Sequence, residues 1–341
     1  MVRVGIIGAG RIGKVHTASL CTRVSNAVLK TVADPFMDNE TAEWIKSMGN
    51  ISVTKNYKEI IEDPEIDAVL ICSSTDTHSS ISMEAIEAGK HVFCEKPVDH
   101  DIQKIKKVLM ALEKSSVKYQ VGFNRRFDHN FEAVQKAVVN GDVGVPHIIR
   151  ITSRDPEPPS PEYVKVSGGM FLDMTIHDFD MARYLAGCDA VEVYAEAGVM
   201  VDSKIGDAGD VDTAVITLRM ENGAIVVIDN SRKAVYGYDQ RAEVFGSGGM
   251  AAVANDTTSS MVLSNSRGVV GQKPLYFFLE RYMDSFAKEM ECFVRAIEED
   301  TETPVGAEDG LKPVLMGMAA KKSVLEHRPV KISEIEESSG L

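Results

Sequence analysis

The sequence VRVGIIGAGRIG, residues 2–13, decides the fold of the first part of this chain. Val2 to Ile7 is an apolar run that predicts a buried strand, and a GxGxxG spacing follows it before a helix-like stretch. In this spacing the first glycine permits a tight turn, the second lets backbone approach a pyrophosphate, and the third lets the helix pack on the strand. The amides at the start of that helix then point at negative charge. Three spaced glycines also occur in ordinary turns, so the motif needs a second signal.

Asp34 supplies that second signal. It ends another apolar run, Val28 to Ala33, near the distance at which an acid meets the ribose hydroxyls of a dinucleotide. A carboxylate there would repel the 2′-phosphate of NADP, and no cation follows in Pro35 to Met37, so the sequence favours NAD. Arg11 in the glycine loop leaves room for use of both cofactors.

Composition limits the classes of partner. The 341 residues carry a formal net charge of −14, which opposes nucleic acid or an anionic membrane as the main partner and favours a small molecule. No apolar stretch is long enough for a membrane span. The cysteines have no CxxC spacing, so neither a disulfide framework nor a structural zinc site is indicated, and reduced thiols in the cytoplasm are expected; they are Cys21, Cys72, Cys94, Cys188 and Cys292.

Residues 1–123 alternate short β-branched runs with helical segments, which predicts a doubly wound parallel sheet, the Rossmann type of dinucleotide-binding domain. The predicted strands are Val2–Ile7, Leu29–Ala33, Ala68–Cys72, His91–Cys94 and Tyr119–Gly122. The predicted helices are Gly13–Thr22, Asn39–Ser47, Thr77–Ala88 and Asp101–Lys114, the third of them ending before Gly89. Ligands of such a sheet bind at the carboxyl ends of its strands.

Residues 124–341 follow a different pattern, which predicts a second α/β domain with a large, open, mostly antiparallel sheet. The predicted strands are His147–Ser153, Val191–Gly198, Asp212–Met220, Ala224–Asn230, Ala242–Gly246 and Met261–Ser264. Four predicted helices cover one face of this sheet: Asn130–Asn140, Asp173–Leu185, Tyr276–Glu299 and Glu308–Glu326. The other face stays open, so we expect self-association through it.

Three groups of residues could carry chemistry: Glu95-Lys96-Pro97, Asn124-Arg125-Arg126, and Asp173 with His177. Hydride transfer from an alcohol needs a base for the hydroxyl proton and a positive group for the developing alkoxide. The ordinary histidine pKa of about 6.5 suits the base, whereas lysine at about 10.4 would need its pKa lowered. We therefore assign the base to His177 and electrostatic stabilisation to Lys96, with the reverse assignment open. Asp173, one helical turn before His177, would orient the imidazole or bind a substrate hydroxyl.

Each group also has a purely structural interpretation. Asp173 and His177 could be an acid at a helix start and a satisfied histidine, and Lys96 and Arg126 could be surface cations. Asp173 and His177 could also share a metal ion, but no third ligand has recognisable spacing, so no metal is predicted. A serine nucleophile has no support because GxSxG is absent.

Taken together, the GxGxxG, the EKP triplet and the Asp173/His177 pair resemble the Gfo/Idh/MocA family of NAD(P)-dependent sugar and polyol oxidoreductases. The stretches SGGMFLDMTIHDFDM at 167–181 and YGYDQR at 236–241 are similar to its inositol-oxidising branch. The resemblance implies a Rossmann domain plus an open-sheet domain, commonly a homotetramer formed through that sheet. It implies oxidation of myo-inositol to 2-keto-myo-inositol (scyllo-inosose). Another inositol isomer, a sugar or a sugar acid remains an alternative substrate, and a non-catalytic dinucleotide sensor remains an alternative function.

The family pattern, carried over position by position, implies three sets of site residues. The catalytic set is Lys96, Asp173 and His177, and the further substrate contacts are Arg126, Asp155 and Tyr236. The NAD site comprises Gly8, Gly10, Arg11, Ile12, Gly13 and Asp34 in the loop, and Ser73, Ser74, Thr75, His78, Glu95 and Lys96 at strand ends along the nicotinamide half. Joint retention of the catalytic set argues against the sensor.

Overall fold

The structure is a computed structural model, describes residues 1–340 and divides into two compact units. The first unit comprises residues 1–127 and 284–314, and the second begins with residues 128–283 and resumes at residue 315. The predicted division between residues 123 and 124 lies close to the first crossing of the chain. A single boundary does not describe the division, however, because residues 284–314 return to the first unit.

The sheet of the first unit is parallel throughout, with the strand order β3-β2-β1-β4-β5-β6. Its strands are β1 Val2–Ile7, β2 Ala27–Ala33, β3 Ser52–Thr54, β4 Ala68–Ile71, β5 His91–Glu95 and β6 Tyr119–Gly122. The predicted parallel sheet is confirmed. The edge strand β3 was not predicted, since three residues are too few for an apolar pattern.

The helices of the first unit join successive strands. They are α1 Arg11–Thr22, α2 Asn39–Ser47, α3 Lys58–Glu62, α4 Thr75–Glu87 and α5 Ile102–Leu112, and a 3₁₀ turn spans Asn124–Phe127. The short helix α3 was not predicted. Gly89 has φ +72° just beyond α4, as expected for a glycine that ends a helix.

The prediction of one helix over Tyr276–Glu299, covering the second sheet, is wrong. The chain forms α11 (Phe278–Arg281) and then α12 (Met283–Glu298), and residues 284–314 belong to the first unit. Met290, Phe293 and Val294 of α12 are buried in one apolar cluster with residues of β1, β2, β4 and β5. The apolar stripe of α12 predicted a buried helix, but a stripe does not identify the sheet on which the helix packs.

The sheet of the second unit has seven strands in the order β12-β11-β7-β10-β9-β8-β15. They are β7 Pro146–Arg154, β8 Ala190–Gly198, β9 Thr213–Met220, β10 Ile225–Ser231, β11 Asp239–Gly246, β12 Met250–Val253 and β15 Val330–Lys331. Every neighbouring pair is antiparallel except β7 and β10, which confirms the mostly antiparallel sheet. The predicted strand near Met261–Ser264 is instead β13 (Leu263–Asn265), which pairs with β14 (Gly268–Val270) in a separate hairpin.

The predicted helix over Asp173–Leu185 is two helices. Asp173 ends α8 (Met170–Asp173), and His177 lies in the first turn of α9 (Ile176–Ala186). The other helices of this unit are α6 His129–Val139, α7 Pro161–Val164, α10 Ser203–Asp207, α14 Ile332–Ser338 and the later part of α13 Ala307–Glu326. Within residues 1–340, no helix has the length and apolar character needed to cross a membrane.

Candidate functional site

The glycine loop of the first unit has the geometry of a phosphate cradle. Gly8 has φ +101°, and a Cβ there would lie 2.6 Å from the backbone at Cys72 and Ser73. A Cβ at Gly13 would lie 2.0 Å from the Gly8 carbonyl oxygen, so α1 packs closely on the loop. At Gly10, by contrast, a Cβ would meet no described atom within 4 Å, and no side chain caps α1. The loop thus offers an open backbone face and helix amides, which fit a dinucleotide pyrophosphate.

Asp34 fixes this loop from the end of β2. Its Oδ2 accepts the Ala9 N–H at 2.7 Å, and its Oδ1 accepts the Phe36 N–H at 2.8 Å. Each carboxylate oxygen has a further lone pair, so Asp34 can accept ribose hydroxyls while it holds the loop.

His78 is placed differently from its predicted role at the cofactor. It is 2% exposed, and its ring nitrogens face the Pro97 carbonyl oxygen at 2.8 Å and the Ser73 carbonyl oxygen at 3.1 Å. Burial alone would lower the pKa of His78, but Cys94 and these two carbonyls outweigh it and raise the pKa to about 9. Both nitrogens have partners inside the protein, so His78 joins the strand ends after β4 and β5.

Glu95 and Lys96 are adjacent at the end of β5, but their side chains have different surroundings. The Glu95 carboxylate is buried and accepts from His16 Nε2 at 2.7 Å, so its partner is α1. Lys96 is half-buried, and the Lys96–Pro97 peptide is cis. Ser73, Ser74 and Thr75 lie after β4 and at the start of α4, where the Ser73 hydroxyl bonds to Thr77 Oγ1 at 2.6 Å.

Among residues 1–340, one group of side chains is close enough to hold a metal ion. It comprises His16, Glu95 and Glu289, whose possible metal-binding atoms lie within 4.8 Å of one another. His16 Nε2 and Glu95 Oε1 are 2.7 Å apart. Two ligands of one tetrahedral zinc ion would lie roughly 3.4 Å apart. The separation is that of a hydrogen bond, so we interpret the group as a hydrogen-bonded cluster.

In the second unit, Arg232 joins two of the predicted substrate acids. Its Nη1 lies 3.4 Å from Asp155 Oδ2, and its Nη2 lies 3.2 Å from Asp173 Oδ2. Tyr163 donates its hydroxyl to the other oxygen of Asp173 at 2.9 Å. Burial alone would lower the pKa of Arg232, but Asp173 and Asp155 outweigh it and raise the pKa, so both acids face a fixed positive charge. Arg232 is not among the site residues predicted from the sequence.

Buried hydrogen bonds fix the residues on both sides of His177 in the chain. Asn230 of β10 accepts from Thr175 Oγ1 at 2.7 Å and donates to Asp178 Oδ2 at 2.9 Å and to the Ser153 carbonyl at 3.2 Å. All four residues are buried. The start of α9 is therefore tied to the sheet at two points that flank His177, although the predicted continuous helix with Asp173 is broken.

The two remaining predicted substrate contacts have partners of their own. Arg126 Nη2 lies 2.9 Å from Asp309 Oδ1 within the first unit. The Tyr236 hydroxyl donates to Asp239 at 2.6 Å and accepts from Arg154 at 3.1 Å. These contacts place Tyr236 in a cluster around β7 and β11, beside a cleft of about 600 Å³ lined by Pro156, Glu157, Lys233 and Lys273 among others.

Comparison with known proteins finds two matching family models and similar proteins of nearly the same length. A model described as an oxidoreductase family with an NAD-binding Rossmann fold matches residues 2–123, and one described as a GFO/IDH/MocA C-terminal domain matches residues 131–252. Myo-inositol 2-dehydrogenase of Thermotoga maritima is 48% identical, covering 98% of this chain and 99% of that protein. Inositol 2-dehydrogenase of Rhizobium meliloti is 44% identical, covering 97% and 99%.

A solved structure of scyllo-inositol dehydrogenase from Lactobacillus casei, with NAD(H) and scyllo-inositol bound, is also similar. It is 28% identical, with a TM-score of 0.90 over 98% of this chain and 99% of that one. On the strength of the two matched domains and the near full-length relatives, this chain belongs to the Gfo/Idh/MocA family of NAD-binding oxidoreductases.

Proposed function

We propose that this protein oxidises myo-inositol at C2 to 2-keto-myo-inositol, with NAD as the hydride acceptor. The observation that carries the proposal is the Asp155–Arg232–Asp173 cluster in the unit that also holds His177. An inositol ring carries hydroxyls all round, and recognition of such a ring needs several fixed polar partners. The 48% identity to a protein named myo-inositol 2-dehydrogenase supports the same substrate.

When bound, NAD would supply the acceptor for the hydride that leaves the alcohol carbon. His177 takes the hydroxyl proton, and Lys96 stabilises the alkoxide that develops as the proton leaves. Asp173 binds a substrate hydroxyl or orients His177, and Asp155, Arg126 and Tyr236 are further substrate contacts. Lys96 as the base and His177 as the stabilising group is the alternative assignment.

The NAD site comprises the glycine loop from Gly8 to Gly13, Asp34 and the segment from Ser73 to Thr75, with Lys96 beside it. Asp34 supports NAD over NADP because its carboxylate would repel a 2′-phosphate. A higher kcat/KM with NADP than with NAD would overturn this preference.

The similarity to the scyllo-inositol dehydrogenase favours one second candidate, oxidation of the scyllo isomer. The two are separated by the initial rate of NADH formation at 340 nm over a panel of myo-inositol, scyllo-inositol, glucose and a sugar acid. We expect the highest kcat/KM with myo-inositol. A higher value with another compound would change the substrate, and no turnover with any polyol would favour the non-catalytic sensor.

We also propose that the protein is a cytoplasmic homotetramer that associates through the open face of the second sheet. None of its five cysteines forms a disulfide, which favours a reducing compartment. Exposed apolar side chains on that face include Val215 (51% exposed), Ile225 (48%) and Phe245 (45%). Exposed apolar side chains that share one face of a sheet are typical of an interface.

A further inference from the structure

The strongest unexplained feature is the His16 cluster, defined as His16, Glu95 and Glu289. His16 and Glu289 are 0% exposed and Glu95 is 8% exposed. His16 Nε2 lies 2.7 Å from Glu95 Oε1 and 4.0 Å from Glu289 Oε1. Two carboxyl groups and one imidazole thus share the interior of the first unit.

Glu289 is the unusual member of this cluster. Neither of its carboxyl oxygens has a hydrogen-bond partner among the described residues. A buried carboxylate without partners is far more costly than a neutral acid, because ionisation must be compensated by hydrogen bonds or by an opposite charge. Burial raises the pKa of the Glu289 carboxyl well above its usual range, and Glu95 and Cys292 raise it further. Burial and the absence of hydrogen-bond partners among the described residues therefore both favour the neutral form of Glu289.

The position of the cluster connects two parts of the NAD site. His16 lies on α1, which begins at Arg11 within the glycine loop, and Glu95 immediately precedes Lys96. A Cβ at Gly122 of β6 would lie 2.9 Å from Glu95 Oε2, so the glycine leaves room for this carboxylate. The Phe93 and Phe286 rings meet the His16 ring edge-to-face at 5.2 and 5.8 Å, which restricts the imidazole.

We propose that Glu289 is a neutral acid that keeps the His16–Glu95 hydrogen bond in place, and that this cluster is a positioning device for NAD binding. A second carboxylate at this point would repel Glu95, whereas a neutral acid does not. The hydrogen bond in turn holds α1 against the strand end that carries Lys96. The inference depends on NAD binding by the first unit and is independent of the proposed substrate.

The first test measures the protonation of Glu289 without any ligand. The thermal midpoints of wild type and Glu289→Gln are compared from pH 5 to pH 8, since glutamine mimics the neutral acid. A carboxyl whose pKa is raised on folding stays protonated in the folded chain while the unfolded chain loses its proton. Stability therefore falls as the pH rises above the ordinary glutamate pKa of about 4.3. We expect wild type to lose stability relative to Glu289→Gln over this range.

The groups that face Glu289 from neighbouring elements are His16 of α1, Glu95 of β5, Cys72 after β4 and Cys292 of α12. All four are present in both proteins, so the difference between the two midpoints isolates Glu289. A difference that does not change with pH, or that changes in favour of wild type, would overturn the assignment of a neutral acid.

The second test measures the positioning role by calorimetric titration with NAD. We expect Glu289→Leu to weaken NAD binding about tenfold or more, because leucine does not have the shape of the acid beside His16 and Glu95, and a small displacement of binding groups is costly. Glu289→Gln should stay within about twofold of wild type, since glutamine is neutral and has nearly the shape of the protonated acid. The matched control is Ser323→Ala, which removes buried hydrogen bonds to Ala195 N–H and the Arg328 carbonyl in the second unit and should leave NAD affinity unchanged.

Two outcomes would contradict the positioning role. One is unchanged NAD affinity in folded Glu289→Leu, and the other is equal loss in Glu289→Gln and Glu289→Leu. Stoichiometric metal in the purified wild-type protein that is lost in Glu289→Gln would replace the proposal with a metal site. If Glu289→Leu does not fold, the pH comparison with Glu289→Gln still decides whether the acid is neutral.

Discussion

His177 is the residue on which the proposed chemistry depends most. Replacement by alanine removes the proposed base, so we expect kcat to fall by about 10²- to 10⁴-fold. Because NAD is bound by the other unit, its affinity should change little. Steady-state kinetics and calorimetric titration check the two effects separately. His327→Ala is the control, since His327 is exposed on the second unit. Wild-type turnover in the His177 variant would require a different base.

Replacement of Asp34 should affect NAD affinity rather than the chemical step. Asp34→Ala removes the hydrogen bonds from Ala9 and Phe36 together with the proposed acceptors for ribose. Hydrogen bonds to a charged group contribute about 1.5–3 kcal/mol, so NAD affinity should fall roughly 10- to 100-fold. Calorimetric titration measures the change, with exposed Glu43→Ala as control. Unchanged NAD affinity would show that Asp34 does not take part in binding.

Individual residues also show what a sequence can and cannot predict. The roles of Gly8 and Asp34 follow from spacing along the chain, because strand, turn and acid are local features. Arg232 could not be identified in this way, since its partners Asp155 and Asp173 are distant in sequence and the pairing arises only in the folded sheet. The sole sequence signal for Arg232 is that it and Lys233 form a pair of cations just after a strand.

Among the secondary-structure elements, the contact between β10 and the start of α9 fixes the segment that carries His177. Asn230→Ala would remove three buried hydrogen bonds, two of which hold the start of α9 while the third joins β10 to β7. We expect a loss of about 2–4 kcal/mol in the free energy of unfolding, together with a lower kcat, because His177 would be less firmly held. Chemical denaturation and steady-state kinetics measure both.

The control for this element is Asn222→Ala, which loses a hydrogen bond from the Ala224 N–H in the turn between β9 and β10 and one to the Ala186 carbonyl at the far end of α9. It should lower stability without a specific loss of kcat. An equal loss of kcat in both variants would mean that Asn230 acts only through general stability.

Elements differ in how far the sequence predicts them. The strands of the parallel sheet were predicted well because they are buried on both faces and read as continuous apolar runs. The short strands β3, β12 and β15 have too few residues to form a pattern. The break between α8 and α9 was missed because Met174 and Thr175 are compatible with a continuous helix, and long-range bonds such as that of Thr175 to Asn230 decide otherwise.

At the scale of the whole molecule, the open face of the second sheet carries the prediction of assembly. On this face a row of neighbouring residues crosses four adjacent strands: Phe245 of β11, Ile148 of β7, Ile225 of β10 and Arg219 of β9. We expect light scattering at micromolar concentration to give about four times the chain mass of 37.2 kDa. A monomer would remove the proposed tetramer.

Charge introduced on that face tests the location of the interface. Val215→Glu with Phe245→Glu should yield a smaller species with unchanged circular dichroism, because carboxylates would be buried against apolar groups. Val139→Glu, at the exposed end of α6, is the control and should keep the wild-type mass. A tetramer that persists in the double variant would place the interface elsewhere.

Hydride transfer from C2 of myo-inositol to NAD is tested most directly by following a deuterium label from the substrate to the reduced cofactor. The protein is incubated with NAD and myo-inositol deuterated at C2, and the reduced cofactor and the product are analysed by mass spectrometry. We expect reduced cofactor one mass unit heavier than with unlabelled substrate, together with a ketone that has lost the deuterium. Reduced cofactor without the label, or no reduction at all, would contradict the claim.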